Sequence, residues 1–247
     1  MKTLGLILAL IWAVSASAQP SVRNASAGVF NRTNAPAGGG GGGGGGWAVI
    51  GSGVIAGSTD GDAVTTGTYD TSGATLIVII ESSFNSQFTP TDSKGNTWTK
   101  AVGSTSFTGE QSSIWYCVPT SAGAGHTFSV SSANSFAALA VYAFTGGSGG
   151  VLDKTSGAFN NGSATTVQPG SITPTTANQL IISGVSYTVG STASVDSGFS
   201  TPLNAGVVSF QHEGGAAAFL VQGAAAAVNP TWTTSSGDDT STIASFK

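Results

Sequence analysis

The side chains able to do acid–base, nucleophilic or coordination chemistry are few and widely spaced in this chain. Beyond residue 18 there are three glutamates, Glu81, Glu110 and Glu213, and two histidines, His126 and His212. Glycoside hydrolysis needs two carboxyl groups about 5–10 Å apart. The alternating Glu-x-Asp-x-Glu strand motif that supplies such a pair in jelly-roll glucanases is absent. Glu110 and Glu213 fall at nearly equivalent places in the two halves of the chain, a pattern that suits loop solubility better than catalysis. His126 and His212 lie too far apart for metal-ligand spacing, and His126, opening a short run after Gly125, reads as a half-exposed strand residue. Asp60 and Asp62 resemble a fragment of a calcium loop but lack its remaining ligands. Gly146-Gly-Ser-Gly-Gly150 matches a nucleophile-elbow pattern in form only, because no helix follows it. No catalytic residue, metal ligand or cofactor is assigned.

The constellation with most to offer is Asp92, Asn96 and Trp98, in the stretch Asp-Ser-Lys-Gly-Asn-Thr-Trp. An indole face stacks on the apolar side of a sugar, and a carboxylate with a neighbouring amide supplies hydrogen bonds. These three are the candidate carbohydrate-binding residues. The competing expectation is structural: Trp98 fills core behind the turn while Asp92 caps it, as large aromatics commonly do in sandwiches.

Such residues must be held by strands. Leu76-Ile-Val-Ile-Ile80 is apolar at every position, which marks a central strand covered on both faces. The run recurs 104 positions later as Leu180-Ile-Ile-Ser-Gly-Val185. At the same offset Trp115 aligns with Phe219, Thr127-Phe128 with Thr231-Trp232, Leu139-Ala140 with Ile243-Ala244, and Tyr142 with Phe246. Several apolar and aromatic matches at one spacing predict an internal duplication. Gly-Asn and Asp-Ser-Gly turns separate short β-branched runs, and sustained helical periods are few. The predicted fold is an all-β antiparallel sandwich, jelly-roll-like or immunoglobulin-like. It spans 62–247 as a single sandwich, with halves of about 62–150 and 151–247. The last strand, over Ile243–Phe246, should sit inside a sheet.

Residues 1–18 read as a secretory signal: Lys2, an apolar run from Leu4 to Val14, and Ala16-Ser-Ala18 before the cleavage point. The run is too short for a comfortable membrane span, and no integral span is expected after cleavage. Residues 19–61 form a polar, then glycine-rich N-terminal segment. Gly38–Gly46 reads as a flexible linker, and Trp47–Ile55 as a first strand or a docking arm. Asn24, Asn31 and Asn161 head glycosylation-type triplets. Charged residues are 7% of the chain and glycine accounts for 37 of 247 positions, far from average composition. Six basic against eleven acidic residues remain once Lys2 is removed, with no basic patch to hold nucleic acid. Cys117 is the only cysteine; inside Ile-Trp-Tyr-Cys-Val it reads as a small buried hydrophobe.

Thr-Asp-Ser-Lys-Gly-Asn-Thr-Trp (91–98), Ile-Trp-Tyr (114–116), Gly-His-Thr-Phe (125–128), Ala-Val-Tyr-Ala-Phe-Thr-Gly (140–146) and the closing stretch from Thr231 to Lys247 occur in this order. Together they resemble a poorly characterised family of β-sandwich modules in secreted bacterial and phage-associated surface proteins. The likeness covers roughly 62–247. It implies a sandwich fold and carries no established active site. The function expected is a secreted, non-catalytic module that binds or decorates an extracellular surface, with a polysaccharide or cell-surface ligand as partner. A structural subunit of an extracellular fibre or matrix, self-associating through unpaired edge strands, is the first alternative. A glycoside hydrolase is the second.

Overall fold

The computed structural model describes residues 46–57, 63–131, 136–162, 164–188, 193–200, 203–205, 213–235 and 237–247. The signal segment, the first two glycosylation triplets, Gly38–Gly45, Asp60, Asp62 and His212 lie outside them, as does Ser163 of the third triplet. The described residues contain no helix and form seventeen strands. In the first half these are β1 (Ala48–Val49), β2 (Val54–Gly57), β3 (Val64–Thr65), β4 (Leu76–Phe84), β5 (Thr91–Asp92), β6 (Thr99–Thr105), β7 (Glu110–Cys117), β8 (Phe128–Val130) and β9 (Ala138–Thr145). In the second they are β10 (Leu152–Phe159), β11 (Thr166–Val167), β12 (Gln179–Thr188), β13 (Ser194–Val195), β14 (Leu203–Ala205), β15 (Glu213–Gln222), β16 (Trp232–Thr233) and β17 (Thr240–Phe246).

The first half builds a large sheet in the order β1-β9-β4-β7-β6, with β2 also on β9, and a small sheet β3-β8-β5. The second builds β10-β17-β12-β15-β14 and β11-β16-β13. The two halves therefore share one strand order, and all named pairings are antiparallel. Strands β2, β4, β7 and β9 join the large sheet and β3, β5 and β8 the small one, an alternation of the jelly-roll kind rather than the immunoglobulin kind. The departure is β6, which pairs with β7 instead of β5.

The large sheets pack face to face: β6 lies over β10 and β17, β7 over β17 and β12, β4 over β12 and β15, and β9 over β15 and β14. Each small sheet covers the outer face of its own large sheet. This arrangement explains the unbroken apolar run. Leu76, Val78 and Ile80 enter the core between the large sheets, with Ile114, Tyr142, Phe144, Leu180, Ile182 and Phe246. Ile77 and Ile79, on the other face, meet Trp98, Phe128 and Val130 beneath the small sheet. Val185, Tyr187, Ala216 and Trp232 repeat that outer layer in the second half.

Between the large sheets the core changes character along its length. One end holds Trp47, Phe144 and Phe246. Toward the other, Ser82, Ser112 and Thr242 replace them, and the Ser112 and Thr242 hydroxyls meet across the sheets at 3.0 Å. Small residues let the sheets approach there: a Cβ on Gly184 would come 2.5 Å from Ile80 Cγ2. Strands begin upstream of residue 62, because Trp47 buries its ring edge-on against Phe144 at 6.4 Å and so carries β1 onto β9. Tyr69 Oη donates to the Ile50 carbonyl, which fixes the same segment. At the C-terminus β17 lies between β10 and β12. Lys247 Nζ sits 3.0 Å from Asp153 Oδ1, and the Lys247 N–H donates to Val151 O at 2.9 Å.

Candidate functional site

Asp92 ends the short strand β5 opposite Phe128 of β8. The chain then turns through Gly95, whose φ of 73° suits a residue without a Cβ. The Asp92 carboxylate closes this turn, accepting from the Lys94 N–H at 2.8 Å and from Trp98 Nε1 at 2.8 Å. Asn96 Nδ2 donates to Asp92 Oδ1 at 3.3 Å and to Ser121 O at 2.9 Å. Its Oδ1 accepts from the N–H groups of Thr120 and Ser121 at 2.9 and 3.0 Å. The structure thus brings the three expected residues together and joins them to one another. Trp98 is only 8% exposed, with its ring edge-on to Phe128 at 6.1 Å. Its faces pack in the outer core rather than toward solvent, the structural alternative that the sequence had offered.

A fourth member was not legible as such. His126 is fully buried rather than half-exposed. Its Nε2 lies 3.0 Å from Asp92 Oδ1, too oblique for a straight hydrogen bond, and its Nδ1 lies 2.9 Å from Thr71 Oγ1. The Thr71 hydroxyl accepts from the Gly123 N–H at 3.0 Å. Burial pushes the imidazole below its ordinary range despite the pull of Asp92. Burial also opposes ionisation of Asp92, but the His126 imidazole beside it and the hydrogen bonds from Lys94, Trp98 and Asn96 prevail and hold its carboxyl low. The signal in sequence was parity: His126 alternates in phase with Phe128 and Val130, both buried.

Hydroxyl, imidazole and carboxylate stand here in the order of a nucleophile triad. Thr71 and His126 have no solvent exposure, so a substrate has no approach to the hydroxyl. What the cluster does is fasten the small sheet and the 70–73 and 120–126 loops.

Two glutamates are buried as well. Glu81 follows Ile80 on β4 and so faces the outer layer, where Ser113 Oγ donates to it at 2.5 Å and Trp115 Nε1 donates to that same serine at 2.8 Å. Burial raises its carboxyl to about 7. Glu110, expected to serve loop solubility, is 5% exposed. It shares its face of β7 with Ser112 and Ile114, toward the other large sheet, and accepts from the Ser106 and Thr108 hydroxyls. Glu81 and Glu110 therefore point to opposite faces of one sheet and do not flank a common groove. Among the described residues no group of three His, Cys, Asp or Glu is placed to hold a metal ion. Cys117 is 2% exposed, and burial lifts its thiol to about 12.

Among the described residues the most solvent-exposed large apolar side chain is Phe107, 83% exposed on the β6–β7 loop, and it meets Phe159 of β10 edge-on at 5.0 Å. Comparison with protein-family models, with curated proteins and with solved structures finds no match.

Proposed function

We propose that this chain works outside the cell as a non-catalytic β-sandwich module that binds an extracellular polymer, with carbohydrate as the ligand class. The observation that carries the reading is where the polar chemistry lies. Asp92, His126 and Thr71 close on one another in the interior, while Glu81 and Glu110 are separated by the thickness of a sheet. Neither arrangement sets an acid and a base across a shared opening, which bond cleavage in a polysaccharide requires. The secretory signal and low charge read in the sequence support the extracellular setting. The two large sheets are covered on both faces, so the loops at the sandwich ends offer the natural contact surface.

The fibre-subunit alternative is disfavoured by the edges. Strands β6 and β10, each at the rim of its sheet, carry register shifts at Lys100/Val102 and Leu152/Lys154. A bulge and a lysine on an edge strand both oppose strand-to-strand growth. The test of the binding reading is retention of the chain from residue 19 onward on insoluble cellulose, chitin, xylan and isolated cell wall. Retention on at least one polymer, reversed by its soluble oligosaccharide, is expected. Free passage over all four counts against the reading.

A further inference from the structure

We propose that Phe107 and Phe159 form an aromatic platform, at the seam between the two halves, that stacks on the sugar faces of a neutral polysaccharide. This rests on the binding reading above and gives it a site, different from the Asp92–Asn96–Trp98 cluster.

The platform is built rather than incidental. The loop that carries Phe107 is pinned from both ends. Ser106 N–H donates to Glu110 O at 2.8 Å, and the N–H groups of Gly109 and Glu110 donate to Ser106 Oγ at 3.1 and 3.0 Å. The Asn85 N–H donates to Gly109 O at 2.8 Å. The Glu110 carboxylate gathers the Ser106 and Thr108 hydroxyls beneath the tip. A nearly buried carboxylate and a dense set of hydrogen bonds thus hold a loop whose tip residue faces water. A rigid aromatic loses little entropy on binding, which makes it an efficient contact. Phe159 comes from β10, the edge strand that lies over β6, so the pair exists only because the two halves pack together. The two rings stand at 74°, and Phe107 keeps most of its surface in water.

The surroundings select the occupant. Asn85, exposed and at a φ of 62°, sets its amide against Gly109: a Cβ on Gly109 would come 2.3 Å from Asn85 Oδ1. Thr108, next in sequence to Phe107, and Asn161, two residues beyond Phe159, are also exposed. Hydroxyls and amides around an aromatic face suit a ligand with one apolar face and a rim of hydroxyls. Two phenyl side chains offer roughly 150–250 Å² each, far short of the roughly 800 Å² per partner of a stable protein interface. A second copy of this chain or a folded partner is therefore poorly matched, whereas a sugar ring is the right size. The loop's own carboxylate is buried, which favours a neutral polymer over a charged one.

The experiment compares wild type, Phe107→Ala, Phe159→Ala and Val118→Ser by affinity electrophoresis in gels containing soluble β-glucan or xylan, and by pull-down on cellulose and chitin. Val118 is an exposed apolar residue at the opposite end of β7 and serves as control. Thermal unfolding of each variant confirms that the fold is kept. Loss of about tenfold or more in affinity for both phenylalanine variants, with Val118→Ser unchanged, is the expected result. Undiminished binding by Phe107→Ala overturns the platform while leaving the binding reading intact. A wild-type chain that engages none of the polymers overturns both.

Discussion

Replacing Glu81 by Gln should change the pH dependence of stability in one direction only. Glu81 has no solvent exposure, and burial raises its carboxyl from 4.5 to about 7 against the opposing hydrogen bonds of Ser113 and Ser83. Because the folded chain holds this proton more tightly than the unfolded chain does, folding is helped wherever the group is protonated in both states, below about pH 4.5. The advantage fades as pH rises and is gone above about 7. A displacement of that size corresponds to about 3 kcal/mol. Glutamine keeps the shape and a hydrogen-bonding end but has no proton to lose. Wild type and variant should thus be close in stability near pH 4.5 and diverge toward pH 8, where the variant becomes the more stable by up to about 3 kcal/mol. For a domain of this size that is roughly 6–12 °C in Tm. Denaturant titration followed by tryptophan fluorescence across this range measures it. Asp92, Asp153 and Asp196 are held low and titrate in acid, and Tyr69 and Tyr187, raised to about 12, titrate in strong base; His126, pushed low by burial, acts within the window but is common to both proteins and cancels in their difference. Parallel pH profiles for the two proteins would refute the reasoning.

Asp92→Asn should cost about 2–4 kcal/mol in denaturant titration, because the Trp98 indole and the turn N–H groups lose their charged acceptor and the buried His126 its charged neighbour; a cost under about 0.5 kcal/mol would mean that the cluster is ornamental. Gly184→Ala should destabilise by about 1–3 kcal/mol, since its methyl would press on Ile80 where the large sheets meet; an unchanged Tm would show that the sheets separate freely. Cys117 should resist a thiol-exchange reagent in the native protein at neutral pH and react at once in denaturant, as its burial and raised thiol require; rapid native-state labelling would contradict the buried position.

Much of the architecture could be read because strands bury by parity. A residue apolar at every position of Leu76–Ile80 has to be covered twice, and it is, by the opposing large sheet on one side and by β3-β8-β5 on the other. Recurrence of the run at Leu180 likewise foretold a second sheet with a central strand of the same kind. The candidate site was harder. Asp92, Asn96 and Trp98 were grouped correctly because they share one turn, but whether Trp98 shows its face to water depends on Phe128, thirty positions away in sequence. The pairing of Asp92 with His126 is equally non-local. Phe107 gave no sign at all. A lone phenylalanine between Ser106 and Thr108 has no periodicity to report, and its partner Phe159 lies in the other half of the chain.

That last point bears on why the two halves would stay in one chain. Packing two jelly-roll-like units through their large sheets buries the surfaces that each would otherwise need to cover, and it lays edge strand β6 against edge strand β10. The core between them is apolar at the Trp47 end and hydroxyl-lined at the Ser112 end. A greasy interface tolerates sliding, whereas hydroxyls meeting at 3.0 Å across the sheets do so only in one alignment. The hydroxyl-lined end is also the end where Phe107 and Phe159 meet. Aligning the halves through directional bonds at that end fixes the distance between two rings that belong to different sheets, which hydrophobic burial alone would leave loosely set. On this argument Ser112→Ala combined with Thr242→Val, a pair of changes that removes both partners and leaves no orphaned hydroxyl, should cost little stability. It should weaken polymer binding all the same, because the Phe107–Phe159 spacing loses its gauge. A double variant that binds as wild type does would show that the platform is set by its own loop alone.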